Sequence, residues 1–128
     1  MYAFNTELNL PIEDVISRLR EALSEVGLGI VSDINIQGII QNSLEENFRP
    51  YRIIGACAPG LAKSLISVDS TIGALLPCNI VVQELNGRTR VSFMDPVIVL
   101  GLANQNLIND IARQVRESLE QVWERLNT

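Results

Sequence analysis

The most constraining feature of this 128-residue chain is Asn86-Gly87, set between two apolar runs, Cys78 to Leu85 and Arg88 to Met94. Asn-Gly is the preferred pair for a two-residue type I′ hairpin turn, because both loop positions need positive φ. Fixing the turn fixes the register of the strands it joins. With Asn86 and Gly87 as the loop, Leu85 faces Arg88, Val82 faces Val91, Ile80 faces Phe93, and Cys78 falls opposite Asp95. Side chains alternate along a strand, so Cys78, Ile80, Val82, Val91, Phe93 and Asp95 share one face. That face is apolar and points to a core. The other carries Asn79 with Met94, Val81 with Ser92 and Gln83 with Arg90, and reads as partly solvated.

The remaining elements follow from periodicity and punctuation. Ala3 to Leu8 alternates as a strand. Pro11 opens a helix at its first turn, with Ile12, Val15, Ile16, Leu19, Ala22, Leu23 and Val26 on one face and Gly27 as its stop. Ile30 to Ile34 is a short strand. Ile36, Ile39, Ile40, Leu44 and Phe48 predict a weaker helix that ends before Pro50. Tyr51 to Cys57 is a strand, Pro59 starts a short helix, and a loop runs through Gly73 to Pro77. Asp95-Pro96 ends the hairpin, and a long helix follows with Leu107, Ile108, Ile111, Ala112, Val115, Leu119, Val122, Trp123 and Leu126 on one face. The expectation is one α+β domain over residues 1–128, with two long helices covering one face of a mainly antiparallel sheet.

Composition narrows the functional classes. The chain is 47% apolar and 20% charged, as a folded globular protein is. Its net charge is −5, with one lysine and nine arginines spread along it, so no basic cluster is available for nucleic acid. No apolar stretch is long enough to cross a bilayer, and the first residues lack a signal-peptide pattern, so a cytoplasmic location is expected with no membrane partner. There is no histidine. Serine hydrolase chemistry therefore lacks its usual base, and two cysteines cannot build a conventional structural zinc site within one chain. Neither Gly27 with Gly29 nor Gly55 with Gly60 makes a phosphate-binding fingerprint.

Thiols and carboxylates are left as the chemistry-bearing groups. Both cysteines sit where an apolar run meets a Pro-marked turn, in Gly55-Ala56-Cys57-Ala58-Pro59-Gly60 and Leu76-Pro77-Cys78-Asn79. An ionised Asp95 opposite Cys78 would raise that thiol's pKa, and Asp95→Asn would lower it. Asp95 on an apolar face also suits an N-cap or turn role through nearby amides. Cys57 lies just ahead of a helix start, where unpaired N–H groups favour negative charge, and is the better candidate for a reactive thiol. The same amides, with Gly60 allowing close approach, suit an anionic ligand group. If the two strands are antiparallel neighbours the cysteines share one sheet edge. If they are parallel, they lie at opposite edges.

Three segments together resemble the bacterial and archaeal domain of unknown function 302 family. They are Tyr51-Arg52-Ile53-Ile54-Gly55-Ala56-Cys57-Ala58-Pro59, Leu76-Pro77-Cys78-Asn79-Ile80-Val81-Val82, and Asp95-Pro96. The family pattern usually has Asn where this chain has Ala58. The resemblance implies a small α+β domain in a TATA-binding-protein-like arrangement, a homodimer, and an antiparallel placement of Cys57, Cys78 and Asp95 at one edge. It implies no activity and no particular cofactor. The resulting expectation is a non-enzymatic module binding a small molecule, anionic or sulfur-containing, with Cys57, Pro59, Gly60, Cys78 and Asp95 as ligand contacts. A thiol-based sulfur or redox carrier using Cys57 with Cys78 is the second reading, and a purely structural or interaction domain the third. Small buried hydrophobes are the commonest alternative fate for both cysteines.

Overall fold

A computed structural model describes residues 1–128. The strands are β1 (Ala3–Leu8), β2 (Gly29–Asn35), β3 (Tyr51–Cys57), β4 (Cys78–Leu85) and β5 (Arg88–Met94). The helices are α1 (Ile12–Glu25), α2 (Ile36–Leu44), α3 (Pro59–Val68), α4 (Pro96–Leu100) and α5 (Asn106–Leu126), with 3-10 turns at Ser70–Leu75 and Gly101–Ala103. The turn residues Asn86 and Gly87 hold φ of 54° and 78°, as a type I′ hairpin requires. The β4–β5 register places Ile80 on Phe93, Val82 on Val91 and Leu85 on Arg88.

Five strands form one antiparallel sheet in the order β1-β5-β4-β3-β2. The first strand and the second are therefore at opposite edges, and α1 spans the sheet between them. α1 buries Val15, Ile16, Leu19, Ala22 and Leu23, while α5 buries Val115, Leu119, Val122 and Leu126 against the same core. Both long helices thus cover one face, and the inward residues of β4 and β5 are buried as their alternation demands. The α+β arrangement is the expected one. No helix is long and apolar enough to cross a membrane.

Several local expectations are corrected. Pro11 is the N-cap of α1 rather than its first helical residue. α2 stops at Leu44, because Glu45 turns into the left-handed region at φ 54°, so Phe48 lies outside it. Phe48 instead lies beside Tyr51, with Arg49 stacked over both rings. The stretch read as a loop before Pro77 contains the 3-10 turn Ser70–Leu75, and α4 intervenes before the final helix. Leu107 is exposed rather than on the buried face of α5.

The smaller α3, α4 and 3-10 elements pack a second core from Leu65, Ile72, Leu100, Ile108 and Ala112. α5 serves both cores, since Ile108 and Ala112 belong to this cluster and Val115 onward to the larger one. Its other end is stitched to β1, where Thr6 Oγ1 donates to Asn127 Oδ1 (2.7 Å) and Trp123 Nε1 donates to the Asn5 carbonyl (2.8 Å).

Gly55 is the tightest point of the sheet. A Cβ there would overlap Ser32 Oγ and come within 2.6 Å of Pro77 Cγ. Serine can rotate away, but the proline ring cannot. Gly55→Ala is expected to destabilise the protein by about 1–3 kcal/mol, as overpacked sites do, read by urea unfolding. Adding Ser32→Gly is expected to leave most of that loss in place, because Pro77 remains.

Candidate functional site

β3 and β4 run antiparallel, with Ala56 the cross-strand partner of Cys78. The residue after Ala56 is Cys57, so both cysteines lie at one end of the sheet, the antiparallel alternative. β3 ends there because Ala58 leads straight into α3, with Pro59 at the first turn, where its missing N–H leaves nothing unsatisfied. Ala58 caps that helix without a side-chain bond. The Cys57 thiol donates a long hydrogen bond to the Ala58 carbonyl (3.6 Å).

Both cysteines line a narrow crevice with Leu28, Ala56, Ala58, Leu61, Ala62, Leu65, Leu76, Leu100 and Val115. Leu28, Ala56, Cys78 and Val115 belong to the larger core, Leu65 and Leu100 to the smaller. The crevice is therefore the seam where two separately packed cores meet. Its free volume is about 20 Å³, room for about one water-sized group. The two thiols are its only polar side chains. Pro59 and Gly60 stand outside the lining.

Cys78 is buried, and burial first, then the charge of Cys57, push its thiol up to about 11 from an ordinary 9.0. The direction matches the expectation, but the cause does not. Asp95 is not a cause of the shift, and the β4–β5 ladder stops at Ile80–Phe93, short of pairing it with Cys78. Asp95 Oδ1 accepts from the Val97 amide (3.0 Å), capping α4, while Oδ2 takes an ion pair from Arg116 of α5. Its own amide donates to the Tyr2 carbonyl (2.7 Å). Arg116 is held in turn by Glu120 (2.8 Å) and lies over the Phe4 ring. Of its two anticipated roles, Asp95 takes the capping one, and it does not line the crevice.

Other concavities differ in character. Hollows of about 450 and 290 Å³ lie between α1 and α5, walled by Arg18, Glu21, Glu25, Glu124 and Arg125 in mixed sign. A third, of about 170 Å³, borders Glu13 and Arg52. There Arg52 bonds Asp33 through two nitrogens and Glu13 through a third contact (2.7 Å). The Arg52 hydrogen bond holds the Asp33 carboxyl below its ordinary value. Its donors are already committed to these carboxylates, which tie the start of α1 to β2 and β3. No three His, Cys, Asp or Glu side chains converge anywhere.

Two outcomes follow from the thiol environments. The Cys78 proton is held more tightly in the folded chain than in the unfolded one. Above about pH 9 the unfolded chain ionises first, so stability falls as pH rises from about 9 towards 11. A loss on the order of 2 kcal/mol over that window is expected to shrink in Cys78→Ala, as measured by urea unfolding at each pH. In the native protein at neutral to mildly alkaline pH, iodoacetamide is expected to label half-buried Cys57 and spare buried Cys78. Asp95→Asn should leave that pattern unchanged while lowering stability by about 1–2 kcal/mol through the lost pair with Arg116.

Residues 4–126 match the family described as Domain of unknown function DUF302. No curated protein matches. Among solved structures, the chain is similar to an uncharacterized conserved DUF302 protein from Bacillus stearothermophilus. The two superpose with a TM-score of 0.91 over 98% of each chain at 24% sequence identity, a likeness that carries the fold.

Proposed function

The chain belongs to the DUF302 family, and from that premise we propose a non-enzymatic module that binds a small ligand at the seam between Cys57 and Cys78. The observation that carries this reading is the lining itself: two thiols brought to one crevice whose other walls are entirely apolar. Such a surface offers soft and apolar contacts and no side chain to pair with an anion. The ligand class is thereby narrowed from the anionic alternative to uncharged or soft groups. The carrier reading is weaker on one point. A resolving thiol attacks as thiolate, and Cys78 is held protonated at neutral pH.

The test follows Cys57 alkylation and thermal unfolding in parallel. Millimolar dimethyl sulfide, a small uncharged soft probe, is expected to slow labelling of Cys57 severalfold and raise the Tm, whereas phosphate does neither. Ala62→Phe, which fills the crevice from α3, is expected to remove both effects. Labelling that no probe alters would return both cysteines to a packing role.

The proposal extends to a homodimer. Edge strand β2 pairs only with β3 and exposes Val31 and Ile34, the kind of edge that recruits another strand. Sedimentation is expected to give twice the 14.2 kDa chain mass. A 14.2 kDa species at all concentrations removes the dimer from the proposal.

A further inference from the structure

We propose that the seam holds a single soft monovalent cation, Cu(I), between the Cys57 and Cys78 sulfurs. The inference rests on the ligand-binding reading above and names its ligand class. Size is the first argument. A free volume of about 20 Å³ admits one water-sized group, so even a molecule as small as dimethyl sulfide must widen the seam to enter, whereas a single ion need not.

Donor chemistry is the second argument. Among the eleven lining residues, only Cys57 and Cys78 carry a side-chain atom able to ligate a metal. Hard cations select oxygen donors, and zinc completes a four-ligand set, neither of which exists here. A d10 monovalent ion is satisfied by two thiolates and is the soft ion that thiolate sites select. The apolar wall keeps water and hard ligands away from the metal, while the two Cu–S bonds must offset the cost of holding one negative charge there.

Placement is the third argument. Cys57 directly follows Ala56, the cross-strand partner of Cys78, and where the chain leaves β3 for α3 it lines the same seam as Cys78, so the two ligands come from adjacent strands. Cys57 is half-buried and Cys78 buried, which gives the ion an entry ligand and an inner one. Binding changes no oxidation state. Two S–H bonds break, two Cu–S bonds form, and two protons leave to solvent, so the filled site carries one net negative charge.

The test is an anaerobic titration of the full chain with Cu(I) against the chelator bicinchoninate. One Cu(I) per chain is expected, with X-ray absorption reporting two sulfur neighbours and no nitrogen or oxygen. Loss of an outer-shell partner already weakens metal sites about 10–100-fold, so Cys57→Ser and Cys78→Ser are each expected to weaken binding by about a hundredfold or more. Far-UV circular dichroism checks that each variant folds. Cys57→Ser, at a half-buried position, keeps the test decisive if Cys78→Ser does not fold.

Retention of the ion in either folded variant would overturn the proposal. So would one Cu(I) per two chains, which marks a bridge between copies, or no Cu(I) retained by the wild type. Absent copper with dimethyl sulfide still shielding Cys57 would sink the metal site alone. Absent copper and unaltered Cys57 labelling would sink the ligand-binding reading with it.

Discussion

Asn86 and Gly87 hold positive φ at the tip of one hairpin, and the inward parity of the whole sheet descends from that pair. The turn sets Ile80, Val82, Val91 and Phe93 on one side, and each added strand must match them. β1 joins β5 with Phe4 stacked on Phe93, ring centroids 5.1 Å apart. β3 joins β4 with Ile54 against Ile80 and Ala56 against Cys78. A slip of one residue would send all of these side chains to solvent. The position of the second thiol is thus a downstream result of a turn that begins eight positions on, at Asn86.

Two arginines hold the helical cover in place at opposite corners of that sheet. Arg116 ties α5 to the Asp95 cap of α4, and Arg52 ties the start of α1 to β2 and β3. Between those corners, α5 contributes to both cores and so locks their relative position. The crevice survives because neither core fills the seam completely. Leu65 and Leu100 reach it from one side, Ala56 and Cys78 from the other, and small residues such as Ala58 and Ala62 leave the gap between them.

The long helices and four of the five strand ranges, both arms of the hairpin among them, were legible because each is a local pattern. Alternation or helical periodicity, closed by Gly or Pro, is enough to define them. The helix after Pro96 was missed because five residues are too few to show a period. Alternation places Asp95 on the correct face, but a register carried to Cys78 opposite Asp95 runs two pairs beyond where the ladder ends. Its ion partner comes from α5, twenty-one residues on, and no local pattern announces such a pairing. Arg52 did leave a signal. It shares parity with Ile54 and Ala56, so alternation alone sets an arginine on the core face, where it needs the carboxylates of Glu13 and Asp33. The seam itself was illegible, since its residues come from five separate elements and three connecting segments.

The stitching of β1 to the end of α5 has a temporal consequence. Thr6 and its partner Asn127 are 121 positions apart, and β1 pairs with β5 rather than with the strand that follows it. A chain emerging from the ribosome can close the β2–β3–β4–β5 meander early, each strand beside its predecessor. It cannot seat β1 until β5 exists, nor cover the sheet until α5 has been made. Contacts of such long sequence separation slow folding and leave apolar surface waiting. During that interval the inward face of the meander, with Cys78 on it, is open to solvent, and the thiol most deeply protected in the finished fold is among the least protected in the nascent one.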